Sequence, residues 1–288
     1  MSYTYKYPHP AVAADCVVFG FDGHELQVLL IERGLYPFKG CWAFPGGFMK
    51  IDESAEDCAR RELREETSLH VQLLKQLGAF SAVHRDPRER VISVAFYALV
   101  QPSDVVGGDD ASQAKWFPLR DVPQLAFDHD YILRKALQKL KEDIYFEPVG
   151  FELLDREFTM AELQRLYEAI LGVHFDRRNF EKKMLQTGIL QLAEEDGRDS
   201  LYDEVAPMAC EPAPPYNTSS SAPCASPRKR FFGSKREMKT MSIDALFGDP
   251  APEPENLPKK PGRKGRKFSF NKEKYNQFKQ NHNFRFEF

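Results

Sequence analysis

The chain has 288 residues, 42% of them hydrophobic and 29% charged, which is typical of a soluble globular protein of about two domains. No apolar run approaches the roughly 18 residues of a membrane span, and no apolar leader follows Met1, so we expect a cytoplasmic protein. Five scattered cysteines form no CxxC pair, which argues against a disulfide framework or a structural zinc site.

The net charge of −3 hides an asymmetry along the chain. Residues 226–288 contain 16 Lys and Arg against 7 Asp and Glu, a net charge of +9, so the preceding residues carry −12. A basic segment beside an acidic body is typical of proteins that contact a polyanion such as nucleic acid. A solvated segment without a partner has the same composition.

The first region, residues 1–145, alternates predicted strands with predicted helices. Ser54 is a suitable N-cap for a helix over residues 54–69, and an amphipathic pattern predicts a second helix over residues 128–144. This mixture predicts one α/β domain. Runs rich in β-branched and aromatic residues predict its strands: 11–21, 25–33, 70–80, 89–100 and 114–119.

The second region reads as helix, short turn, helix and strand. Thr159 caps a helix that stops at Gly172, Asp176 caps the next helix, and ILQL follows as a strand. We predict a winged helix-turn-helix from residues 146–195 plus 266–288, interrupted by a disordered, basic and Pro-rich insert at 196–265. Its predicted core is Leu163, Leu166, Ile170, Phe175, Phe180 and Met184.

The second helix of this motif predicts a DNA-binding surface. In a helix-turn-helix the second helix enters the major groove, where Arg reads guanine, Asn reads adenine and Lys neutralises phosphates. A helical hairpin that serves packing or dimerisation is the alternative, and the basic insert is equally a DNA contact or a linker. The predicted DNA-binding residues are Arg177, Arg178, Asn179, Lys182 and Lys183.

The chemically richest segment is GGFMKIDESAEDCARRELREETSL, residues 46–69. Glu62, Glu65 and Glu66 are spaced i, i+3 and i+4, so they share one side of the predicted helix and repel one another unless a cation is bound. Hard oxygen ligands suit Mg²⁺ or Mn²⁺. Arg61 can pair with Glu53. Alone, ELREE is more typical of a solvated helix face.

The spacing of the whole segment resembles the Nudix box of the Nudix hydrolases. The resemblance implies an α/β/α sandwich and Mg²⁺-dependent hydrolysis of a nucleoside diphosphate derivative. It further implies that Glu62, Glu65 and Glu66 bind the metal, that Glu53 and Arg61 support them, and that the Gly46–Gly47 backbone lies beside metal and phosphates. Ser68 departs from the family pattern, which has Gly there, at a position where a left-handed backbone is common.

A second segment, HRDPRERVISVAFYALV at residues 84–100, offers Arg85, Arg88 and Arg90 to a diphosphate or forms a solvated turn. With WAFPGGF it resembles Nudix domains of NAD metabolism, both ADP-ribose pyrophosphatases and NrtR-like transcriptional regulators. ADP-ribose or a relative is then the expected ligand. Tyr36, Trp42 and Phe44 are candidates to stack on adenine or to lie in the core.

Residues 158–190 resemble the C-terminal domain of the same regulators. Two functions follow, of which the complete box places a Mg²⁺-dependent ADP-ribose hydrolase slightly first. The alternative is a DNA-binding transcriptional regulator that senses ADP-ribose without turnover. A homodimer is expected in either case.

Overall fold

The structure, a computed structural model, describes residues 6–103, 105, 111–193 and 266–280. The predicted insert at 196–265 and residues 281–288 lie outside these ranges. Among the described helices, none combines the length and hydropathy that a membrane crossing needs.

A mixed sheet forms the first half of the chain, with β1 at its centre. β1 pairs antiparallel with β2 and parallel with β6, and β5 pairs antiparallel with the far side of β6. β3 and β7 pair with β2, while β4 pairs with β1. The strands are β1 (Ala11–Phe21), β2 (Leu26–Arg33), β3 (Trp42–Ala43), β4 (Gly46–Phe48), β5 (Leu74–Phe80), β6 (Val91–Leu99) and β7 (Ala111–Pro118).

Two helices cover opposite faces of this sheet. Successive residues of a strand point to opposite faces of the sheet, and side chains of β1 are buried on both faces. Val17 and Phe19 pack in the cluster that contains α2 (His129–Phe146), whereas Val18 packs with Leu63 of α1 (Ala55–Thr67). The predicted α/β/α sandwich is therefore confirmed.

The second half forms a winged helix. β8 (Phe158–Thr159) leads into α3 (Met160–Leu171), a turn and α4 (Arg177–Gln186). β9 (Leu190–Leu192) and β10 (Lys267–Phe270) complete a three-stranded sheet in the order β8, β10, β9, and α5 (Lys272–Gln280) follows. The central strand thus comes from the segment that resumes after residue 265.

Capping hydrogen bonds fix the first residues of α3 and α4. Thr159 and Glu162 form a reciprocal capping box at α3, and Asp176 accepts the backbone N–H of Asn179 at α4. Of the predicted core residues, five are fully buried and Phe175 is partly buried beside Phe180. The buried five are Leu163, Leu166, Ile170, Phe180 and Met184.

The remaining differences from the predicted elements concern short pieces. The two-residue strands β3 and β8, the three-residue β4 and a 3₁₀ helix at Val149–Leu153 were not predicted. Strand β5 begins at Leu74, four residues after the predicted start. Such short elements depend on tertiary pairing and leave no periodic pattern in the sequence.

Ser68 ends α1 in the left-handed conformation, with φ 61° and ψ 8°. A non-glycine residue there is strained by about 1 kcal/mol. We therefore expect Ser68→Gly to raise the free energy of unfolding by about 1 kcal/mol. Urea denaturation measures it, with Ser54→Gly as an opposite control because Ser54 caps the same helix. A destabilised Ser68→Gly would contradict this account.

Candidate functional site

The Arg61 guanidinium lies among three glutamates of the box. Its Nε and Nη2 donate to both oxygens of Glu53, at 2.9 and 2.6 Å, so the predicted pair is present. Nη1 donates to Glu62 at 2.7 Å and to Glu65 at 3.0 Å. The hydrogen bond from Arg61 also holds the pKa of Glu53 well below its ordinary range, at about 2. The loop before α1 is thereby fastened to the middle of the helix.

Glu66 is the most buried of the box glutamates, with 6% of its surface exposed. Its Oε2 accepts the backbone N–H of Gly46 at 2.9 Å. Burial raises the pKa of Glu66 to about 8, although the bond from Gly46 acts in the opposite direction. Burial also raises the pKa of Glu62. A second positive charge nearby would favour the ionised form of both groups.

The two glycines allow this close packing. A Cβ added at Gly47 would lie 2.3 Å from Oε1 of Glu62, and one added at Gly46 would lie 2.4 Å from the carbonyl oxygen of Ala14. At position 46 the clash is with backbone, so glycine is required for β4 to pair with β1. At position 47 the clash is with the end of the Glu62 side chain, so a larger residue would displace that carboxylate.

The donor chemistry of these carboxylates fits a hard divalent cation. In the described ranges, however, no group of three or more His, Cys, Asp or Glu is arranged to hold a metal ion. Arg61 holds the side chains of Glu62 and Glu65, while Glu66 faces the Gly46 amide. Their assignment as metal ligands remains a prediction, and Arg61 occupies one oxygen of Glu62 and one of Glu65.

The three arginines of residues 84–100 have different surroundings. Arg85 is 8% exposed, and its guanidinium donates to both oxygens of Asp128, at 2.7 and 3.1 Å. A phosphate contact by Arg85 would have to replace that ion pair. Arg90 donates to the carbonyl oxygens of Ser81 and Ala82 and is exposed.

Arg88, like Arg85 but unlike Arg90, lies beside the glycines of the box. Its Nη2 donates to Asp86 at 2.8 Å, and its guanidinium lies 5.1 Å from the ring centre of Phe48. Arg33 lies 4.9 Å from the ring centre of Phe127. Together with Gly46 and Gly47 these side chains line a small cavity of about 50 Å³. Arg85, Phe44 and His129 line the same cavity, and so do the carboxylates of Asp15 and Asp86.

Sequence reasoning missed Arg33, Phe48 and Phe127 as parts of this site. Phe127 has a positive φ of 55°, a strained conformation that no sequence pattern predicts. Of the residues predicted to stack on adenine, Phe44 lines the cavity but is buried against His129. Trp42 packs on Phe117, and Tyr36 is 80% exposed.

Helix α4 presents a positively charged face. Phe180 and Met184 point into the core, so the opposite side of the helix faces outward. The predicted DNA-binding residues occupy that outer side: Arg177, Arg178, Asn179 and Lys182 are exposed, and Lys183 is partly exposed. This geometry suits a helix that enters a major groove with its N-terminal end.

Comparison with known families divides the chain in the same place as the fold. The NUDIX domain family matches residues 9–140, and the NrtR DNA-binding winged helix domain matches residues 150–200. The Nudix box and helix α4 therefore lie in regions that two different domain families match.

Individual relatives cover one or both of these domains. An ADPR responsive transcriptional repressor, NtrR of Acinetobacter baylyi, is 33% identical over 190 residues, 64% of this chain and 76% of the repressor. The ADP-ribose pyrophosphatase of Methanocaldococcus jannaschii is 43% identical over 132 residues, 46% of this chain and 76% of that enzyme. The crystal structure of Shewanella oneidensis NrtR with a 27mer DNA has a TM-score of 0.55 and 31% identity, and the match covers 65% of this chain and 90% of that one.

The raised pKa of Glu66 predicts a dependence of stability on pH. Folding favours its protonated form, so this group's contribution is fully present below its ordinary pKa of 4.5 and is lost as the pH rises through about 8. Without divalent cations we expect the wild type to lose up to a few kcal/mol relative to Glu66→Gln across that window.

Urea unfolding in a chelator at about pH 4 and about pH 9 measures this difference. Glu56→Gln is the matched control, because Glu56 lies on the exposed first turn of the same helix. A stability difference between wild type and Glu66→Gln that stays constant with pH would show that folding does not raise the pKa of Glu66.

Proposed function

Since the chain belongs to the NUDIX family and carries an NrtR-type winged helix, we propose that it is a DNA-binding regulator whose NUDIX domain binds ADP-ribose or a related nucleoside diphosphate. The observation that carries this proposal is the outward basic face of α4 in the same chain as the Nudix box. A repressor described as ADPR responsive is similar to this chain over 190 residues, more than either domain alone, which supports regulation.

The DNA-binding half of the proposal assigns a role to each exposed residue of α4. Asn179 and Arg177 lie in the first turn, where side chains reach base edges, and the lysines suit phosphates. A homodimer is part of the proposal, since two-fold operators require two copies of α4 one helical turn apart.

The nucleotide-binding half places the diphosphate at the start of the box. The Arg33 and Arg88 guanidiniums supply positive charge there, and the faces of Phe48 and Phe127 supply aromatic surface. Gly46 and Gly47 let a phosphate approach the backbone because no Cβ intervenes. Arg85 lines the same cavity, and its pair with Asp128 fixes the loop on which Arg88 lies.

Hydrolysis of the bound diphosphate is a second proposed function, favoured by the complete set of box glutamates. Glu62, Glu65 and Glu66 would hold Mg²⁺ or Mn²⁺, which when bound supplies charge neutralisation and an activated water. The chain's own groups orient this site: Arg61 fixes Glu53 and the loop, and the Gly46 amide fixes Glu66. Breaking the diphosphate with water gives AMP and a sugar phosphate.

The regulatory proposal predicts that ADP-ribose changes DNA affinity. With a duplex selected by the full chain from a random-sequence pool, we expect α,β-methylene ADP-ribose to change the Kd by about 5- to 150-fold. Asn179→Ala should weaken binding of that duplex roughly tenfold or more, because it loses a base contact. Fluorescence anisotropy measures both effects.

Arg120→Ala is the control, since Arg120 is an exposed arginine outside the winged helix. It should leave the Kd for the selected duplex near the wild-type value. Failure to select any duplex, or a Kd that the nucleotide leaves unchanged, would contradict the regulatory proposal.

The hydrolytic proposal predicts steady AMP release from ADP-ribose with Mg²⁺. Glu65→Gln and Glu66→Gln should each lower turnover at least about a hundredfold while the chain stays folded. Glu56→Gln, on the same helix but paired with Arg60, should turn over like the wild type. Chromatography of the nucleotide products gives the rates. Equal rates in all four proteins would exclude the glutamates from catalysis.

A further inference from the structure

The segment that precedes α2 runs alongside the segment that precedes the Nudix box. Trp42 of β3 pairs as a parallel bridge with Leu125, and its carbonyl oxygen accepts the N–H of Ala126 at 2.8 Å. Phe44, two residues before the glycine pair, donates its backbone N–H to Nδ1 of His129 at 3.0 Å. The backbone of the nucleotide site is therefore attached to the first residue of α2.

The surroundings of His129 hold its ring in one orientation. The ring is 2% exposed and stacks on Phe44, with centroids 4.9 Å apart and planes 12° apart. Because Nδ1 accepts a hydrogen bond, the neutral ring carries its hydrogen on Nε2, which lies 3.7 Å from Oδ1 of Asp15. Asp15 is also bonded to Ser93 and Arg85. A movement of Phe44 would therefore displace the His129 ring.

The far end of α2 contacts the winged helix through a tightly packed glycine. A Cβ added at Gly150 would lie 3.2 Å from Cδ2 of Leu166 in α3 and 3.7 Å from Cδ1 of Ile144 in α2. Next to Leu166, Tyr167 packs edge-on against Phe180 of α4, with centroids 5.7 Å apart. Helix α2 has 18 residues and is about 27 Å long, and it runs from His129 at the nucleotide site to Ile144 beside Gly150.

We propose that His129 couples the nucleotide site to the winged helix by tying the position of Phe44 to the start of α2. This inference rests on the regulatory function proposed above. Phe44 and His129 line the same small cavity as Gly46 and Gly47, so a nucleotide bound there contacts the coupled pair directly. A shift of α2 is transmitted by close packing at Gly150 to α3 and α4, which sets the DNA affinity.

The test measures coupling in the full chain. The DNA Kd is determined with and without α,β-methylene ADP-ribose, and the nucleotide Kd with and without the selected duplex, because the two ratios must agree. We expect His129→Leu to lower a ratio of at least about fivefold to near one, measured at ligand concentrations that saturate the variant. His129→Asn is the control, since its Oδ1 replaces Nδ1 as the acceptor for Phe44, and it should keep the coupling.

A second variant keeps the proposal testable if His129→Leu does not fold, which circular dichroism reports. Gly150→Ala pushes Leu166 at the opposite end of α2, and it should also reduce the ratio while the nucleotide Kd alone stays unchanged. Wild-type coupling in a folded His129→Leu would overturn the role of His129, and wild-type coupling in Gly150→Ala would overturn transmission through α2. Absence of coupling in the wild type would instead refute the regulatory function, and His129 with it.

Discussion

The ion pairs of Arg61 are the interaction on which the site depends. Glu53, Glu62 and Glu65 converge on one guanidinium, and all three would repel one another without it. Because Arg61 also donates to the carbonyl oxygen of Phe48, it holds the glycine loop against α1. Arg61 occupies one oxygen each of Glu62 and Glu65, two of the carboxylates proposed to hold the cation. A bound cation would therefore share these carboxylates with Arg61.

The parts of the site that could be predicted are those whose contacts are local in sequence. Arg61 pairs with Glu65 one helical turn away and with Glu53 eight residues earlier, so spacing alone indicates both contacts. Arg85 illustrates the opposite case. Its partner Asp128 lies 43 residues later, and a pattern of charges around residue 85 cannot distinguish a buried ion pair from a phosphate ligand. Arg33 and Phe127 were missed for the same reason.

The same rule explains which parts of the fold could be predicted. Helices α3 and α4 carry their own caps at Thr159 and Asp176, and their apolar positions repeat at the helical period. Strand β8 has two residues and exists because β10 pairs with it. No local pattern specifies such a strand. The resemblance to a known family supplied the nature of the ligand, which helical periodicity and capping do not encode.

The strand order of the winged helix has a consequence for biosynthesis. β10 lies between β8 and β9, yet residues 193–266 separate it from β9 in the chain. A nascent chain whose NUDIX half is already complete therefore still lacks the central strand of its second sheet, which leaves the edges of β8 and β9 open. The NUDIX domain is therefore synthesised first, and the sheet of the winged helix can be completed only after Lys267–Phe270 has left the ribosome.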